Sequence, residues 1–149
     1  MKYTTGEIGR VIVVRFEHGE DVIAGTREIV LKEGVRSAIA FFVGAVEAAR
    51  MVTGPEKLEI PPEPHWIQFA DGREILGIGT IFMEGNEPKM HLHGAAGRGE
   101  HSLAGCFRDW AKVFLIVECV IIEIKNCGAK RSKDEASGLS LLDFEEPRG

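Results

Sequence analysis

Two stretches of this sequence, residues 74–83 and 113–124, are apolar on both of their alternating faces. Side chains along a strand point to opposite faces in turn, so strands of this kind have to be covered twice. The chain offers only one convincing helix, and a single sheet with one helix against it is covered once. Another copy of the chain is the natural second cover, and the pattern therefore predicts an oligomer.

The remaining elements follow from periodicity and punctuation. Residues 9–16 read as a strand, with Val11, Ile12, Val13 and Val14 leaving neither face polar. His18-Gly19-Glu20-Asp21 then turns the chain. Asp21 is placed to cap a helix whose buried positions Val22, Ile23, Thr26, Ile29 and Val30 keep the helical period, and Gly34 stands where a left-handed residue closes it. Residues 37–51 form a long strand, and the proline-rich stretch 53–64 a loop or irregular edge. Four further strands are expected at 74–83, 88–96, 101–106 and 112–124. Residues 84–87 and 97–99 look like hairpin turns. A charged stretch at 130–135 predicts a mobile tail, although 139–144 could add one short strand. The fold class is α+β, a mostly antiparallel sheet with one main helix.

At 149 residues the chain is long enough for one domain with a core of its own, and needs no metal or disulfide merely to fold. The expected division is a core at about 8–125 and a partly mobile C-terminal segment at 126–149. A formal net charge of −5 disfavours non-specific DNA binding, which depends on cationic surface. The opening residues 1–7 lack the apolar core of a signal peptide, and no run approaches membrane-spanning length. Cys106, Cys119 and Cys127 are odd in number and unpatterned, which reads as reduced thiols in a cytoplasmic protein.

One local feature carries chemistry. In His91-Leu92-His93 the two imidazoles lie two residues apart on a strand and so share a face, where both can converge on one ion. Whether His101 joins them depends on the next hairpin. A three-residue loop, Gly97-Arg98-Gly99, puts Ala95 opposite His101 and Gly105 opposite His91, which brings His101 to the same side. An even-numbered loop sends it to the other face. Three histidine ligands would leave one coordination position open, as in a catalytic rather than a structural zinc site. The expected cofactor is one divalent transition metal per chain, zinc first. Metal-assisted hydrolysis is the reaction such a site would first support.

Other residues carry both a chemical and a duller reading. Glu118, inside an apolar strand, is a weak candidate acid, base or ligand if buried, and an edge or interface residue paired with arginine otherwise. Arg98, at the hairpin tip, could clamp an anion near the metal or simply be solvated. Gly77-Ile78-Gly79 lies within a strand and lacks the strand–turn–helix setting of a phosphate loop. Trp66 and Trp110 read as core or interface anchors.

These residues together resemble a known family. The run from Gly72 to Gly79, the segment Pro88-Lys89-Met90-His91-Leu92-His93-Gly94 and the segment Gly99-Glu100-His101-Ser102-Leu103-Ala104-Gly105-Cys106 look like the PPC domain, which plants and prokaryotes share and which plants attach to AT-hook DNA-binding motifs. The apolar strand carrying Glu118, and Gly19-Glu20-Asp21-Val22 opening a helix, fit as well. The resemblance implies an α+β homotrimer with a metal held by His91, His93 and His101. It also implies a subunit-contact strand at Gly72, Arg73, Glu74, Ile75 and Leu76, here lacking the phenylalanine of the plant motif. Glu100 and Ser102 depart from the usual glycine and leucine around the third histidine. No Arg-Gly-Arg-Pro core is present, so direct DNA binding does not carry over by residue. The alternative reading is a DNA-binding or transcription-related regulatory module acting through protein partners.

Overall fold

The computed structural model describes residues 1–145; the last four residues of the segment expected to be partly mobile lie outside the described residues. The architecture is a mostly antiparallel sheet with one helix. Its elements are β1 (Glu7–Glu17), α1 (Val22–Lys32), β2 (Ser37–Pro55), β3 (Pro64–Phe69), β4 (Arg73–Glu84), β5 (Glu87–Arg98), β6 (His101–Lys125), β7 (Ala129–Lys133) and β8 (Ser140–Phe144). The main sheet runs β1-β6-β5-β4-β2-β3, and a second pairing of β6 with β2 closes β2, β4, β5 and β6 into a ring.

Closure depends on bending the two longest strands. β6 is one continuous strand where two were expected, and it turns through Asp109 and Leu115, both with positive φ. Its ladder with β2 shifts register at three places between Gly44 and Arg50. Such bulges add an unpaired residue to one strand and sharpen its twist, which lets a long strand change neighbours. At Gly44 (φ 143°) a Cβ would stand 2.4 Å from the Ile116 carbonyl oxygen, so the close approach of β2 and β6 there needs glycine.

The helix forms for the reasons its sequence suggests. Asp21 Oδ1 accepts from the backbone N–H of Ile23 at 2.9 Å and of Ala24 at 2.8 Å. Its other carboxylate oxygen accepts from Ala111 N–H at 3.0 Å, which ties the start of α1 to β6. Gly34, with φ 66°, closes the C-terminus. α1 presses Val22, Thr26 and Val30 onto the inner face of the sheet, where Phe16, Phe42, Ile81, Leu92, Val113, Val117 and Ile121 complete the core.

The outer face is a different matter. Cross-strand pairs align Val13, Val120, Phe41, Ile78 and His93 in one row over β1, β6, β2, β4 and β5. Val43 and Leu76 lie in the adjoining row. Val13 is 76% exposed, Leu76 67% and Ile78 52%, so this is a broad apolar surface open to water in the single chain. Glu118 lies on this face, exposed and opposite Arg15. It is not the buried carboxylate considered as an acid or base.

Three local expectations change. The proline-rich stretch is followed by β3, an edge strand on β2. The charged stretch expected as a mobile tail begins in a strand, because Ala129–Lys133 pairs with β8 and packs its Arg131 against β4. The third change concerns the β5–β6 turn. Arg98 pairs with His101, leaving a two-residue turn of Gly99 and Glu100 instead of a three-residue loop. No helix among the described residues is long and apolar enough to cross a membrane.

Candidate metal centre

β5 carries His91 and His93 on its outer side, as the strand period requires. Their Nε2 atoms are 3.0 Å apart and their rings stand nearly perpendicular, at 88°. Two nitrogens bound tetrahedrally to one zinc, each at about 2.0–2.1 Å, would be about 3.3 Å apart. The pair therefore has the spacing of ligands to a shared ion, within a small adjustment.

The third side chain that the hairpin brings to this pair differs from the one a three-residue loop would bring. With Arg98 opposite His101, the ladder puts Ala95 opposite Ala104, Gly94 opposite Gly105 and His93 opposite Cys106. His101 consequently falls on the other face of the hairpin from His91 and His93, exposed at its tip, and is not brought to them within the chain. Cys106 takes its place: its Sγ and the two histidine nitrogens lie within 4.8 Å of one another. The physical reason is a single turn residue. Gly99 has φ 58°, which suits the first central position of a two-residue type II′ turn as well as the last position of a three-residue loop. The tighter turn shifts parity by one and exchanges histidine for cysteine.

The surroundings set the protonation of these donors. Burial, then the neighbouring His93, then Arg131 and Arg108 push the His91 pKa down to about 4. His91 is thus neutral at physiological pH and keeps a lone pair for a ligand bond. Burial pushes the Cys106 thiol up, while Arg108 and then Arg131 partly oppose that. The free thiol is therefore protonated, and a metal bound there would displace its proton. Two imidazoles and one thiol form a donor set that fits zinc and its borderline-soft neighbours.

Other candidate residues stand apart. Arg98 is exposed and approaches Asp71 at 3.6 Å, so it is engaged at the far end of β5 and not beside the histidines. In the strand read as a subunit contact, Gly72 adopts a positive φ of 71° and Arg73 pairs with Asp71 at 2.8 Å. Ile75 points into the core, whereas Leu76 points outward. Trp66 lies under the Arg50 guanidinium, 3.8 Å from the ring centre.

The family model described as the Plants and Prokaryotes Conserved domain matches residues 3–125. The chain belongs to this family. Among solved structures, a metal-containing protein from Archaeoglobus fulgidus matches with a TM-score of 0.85 at 24% identity, covering 98% of this chain and 100% of that one. A plant- and prokaryote-conserved protein from Pyrococcus horikoshii matches with a TM-score of 0.83 at 23% identity, covering 99% of each chain. A third, named as a candidate DNA-binding protein from Bacteroides thetaiotaomicron, matches with a TM-score of 0.80 at 21% identity, covering 97% of this chain and 100% of that one. At these identities the likeness fixes the fold of the Plants and Prokaryotes Conserved domain and nothing finer. Comparison with curated proteins gives no match.

Proposed function

We propose that this chain is a homotrimeric metal-binding protein, holding one divalent transition metal per subunit, zinc first, at His91, His93 and Cys106. The observation that carries the reading is the 3.0 Å separation of two Nε2 atoms on one strand face, with a cysteine opposite. The likeness to a metal-containing protein of the same fold supports it. Three protein donors leave a fourth position for water or a small ligand, and a metal so held supplies Lewis-acid chemistry.

A covering copy is proposed from the outer face, and the number three from the resemblance to the family. The row Val13–Val120–Phe41–Ile78 ends at His93, so a neighbouring copy that covers this surface borders the metal centre. Leu76, 67% exposed, is the outward apolar residue of the contact strand. His101 could serve the centre only by reaching it from another copy, since its own chain turns it away.

Elemental analysis of variants tests the assignment. His93→Ala and Cys106→Ser should lose most of their metal while keeping the native mass of the wild type. Full metal content in both would contradict the site. His101→Ala separates two arrangements, because unchanged metal content confines the ligands to one chain and a loss points to a donor from a neighbour.

A regulatory role in DNA binding is the second reading, prompted by the Bacteroides thetaiotaomicron protein. The net charge of −5 weighs against it as a direct activity. Submicromolar affinity for duplex DNA at physiological salt, with a steep salt dependence, would reverse this ranking.

A further inference from the structure

The metal reading leaves two arginines unexplained. Arg131 is only 8% exposed, and its one side-chain hydrogen bond among the described residues goes from Nη2 to the Thr80 hydroxyl at 3.0 Å. Thr80 is the cross-strand partner of His91, so this guanidinium is anchored on the residue beside the first metal donor. Arg108 follows Cys106 by two positions on β6 and therefore shares its strand face, next to the third donor. Both arginines act electrostatically on His91 and Cys106. Neither has a carboxylate partner among the described residues, which form ten lysine or arginine ion pairs elsewhere.

An arginine with this little exposure, hydrogen-bonded through its guanidinium only to a neutral hydroxyl, holds its charge in a partly desolvated place with no opposite charge to offset the cost. The cost falls when an anion is supplied. Arg131 can receive one, since none of its nitrogens is both buried and without a partner, which leaves its remaining N–H groups in contact with solvent. A divalent metal held by two neutral imidazoles and one thiolate keeps a net positive charge, and the two arginines add to it. The planar N–H fork of arginine matches two oxygens of a carboxylate or phosphate.

We propose that Arg108 and Arg131 make this centre a receptor for a small oxyanion, with a carboxylate or phosphate group seated between the guanidiniums and one of its oxygens at the open coordination position. The inference rests on the metal reading of the same cluster and adds the chemical class of its ligand. An anion placed there supplies the missing counter-charge of Arg131 and completes the metal's coordination in one step.

Cobalt(II)-loaded full-length protein offers a direct test, because the visible spectrum of cobalt responds to a change of ligand. Titration with inorganic phosphate and, separately, with malonate should give a saturable spectral change for at least one of them, and the stronger of the two identifies the preferred oxyanion. Arg131→Met and Arg108→Met should each weaken that binding by about tenfold or more, with cobalt content and native mass unchanged. Arg131→Lys, which retains charge without the fork, should fall between. Absence of any spectral change at millimolar anion, or wild-type affinity in both methionine variants, overturns the inference while leaving the metal site intact. A chain that takes up no cobalt contradicts both.

Discussion

Replacing His91 with glutamine should flatten the acid limb of the stability curve of the metal-free protein. His91 titrates near 4 in the folded chain against 6.5 for an unperturbed histidine, because burial, His93, Arg131 and Arg108 all oppose its charge. Unfolding removes those influences. Between pH 6.5 and 4 the unfolded chain therefore binds a proton at this position that the folded chain refuses. Stability linked to His91 is complete above pH 6.5 and is lost as the pH falls toward 4. The gap from 6.5 to 4, at about 1.4 kcal/mol per pH unit, sets a ceiling of about 3.4 kcal/mol. The ring is partly open to water, and solvent screening reduces the expected effect to about 1–2 kcal/mol. Urea unfolding with a chelator, at one chain concentration and at pH 7 and 4.5, measures it. Wild type should lose about 1–2 kcal/mol more than His91→Gln between the two conditions. Asp71, Glu87, Glu123, Asp134 and Asp143, all held below their usual range, also weaken the fold toward acid, but they are common to both proteins and cancel in the difference. Equal losses in the two proteins, or a larger loss in the variant, would refute the reasoning.

Asp21→Ala removes the cap bonds to Ile23 and Ala24 and leaves the Ala111 N–H unpaired, which should cost about 2–3 kcal/mol by urea unfolding at pH 7. A loss under about 0.5 kcal/mol would contradict the capping role. Leu76→Lys puts a charge on the apolar outer face and should lower the native mass with the far-UV circular dichroism unchanged. A trimer that survives it would move the interface away from this face.

Much of the fold was legible in the residues because each signal had one physical reading. Asp21 before an apolar period of 3.6 and Gly34 after it could only bound a helix, and the structure gives α1 those ends. Strands apolar on both faces announced a surface needing cover, and Val13, Phe41 and Ile78 are exposed on it in the single chain. What failed turned on features that local sequence leaves degenerate. Glycine at 99 satisfies two turn geometries that differ by one residue, and that residue decides whether position 101 or 106 shares the face of His91 and His93. Cys106 could have been found by pairing the hairpin with a two-residue turn, for which it is the direct partner of His93. The continuity of β6 was hidden by the polar Arg108 and Asp109, which mark its bend rather than its end. Arg131 was invisible for another reason. Its place beside Thr80 depends on β7 folding back onto β4, a contact between positions 51 residues apart that no local pattern encodes.

The central claim is that His91, His93 and Cys106 hold a metal in a trimer, and elemental mass spectrometry of the untagged protein together with its native mass tests it most directly. The account predicts three chains per particle with about one zinc, or another divalent transition metal, for each. A metal-free particle after growth and purification without chelators, which then fails to take up added zinc or cobalt, would contradict it.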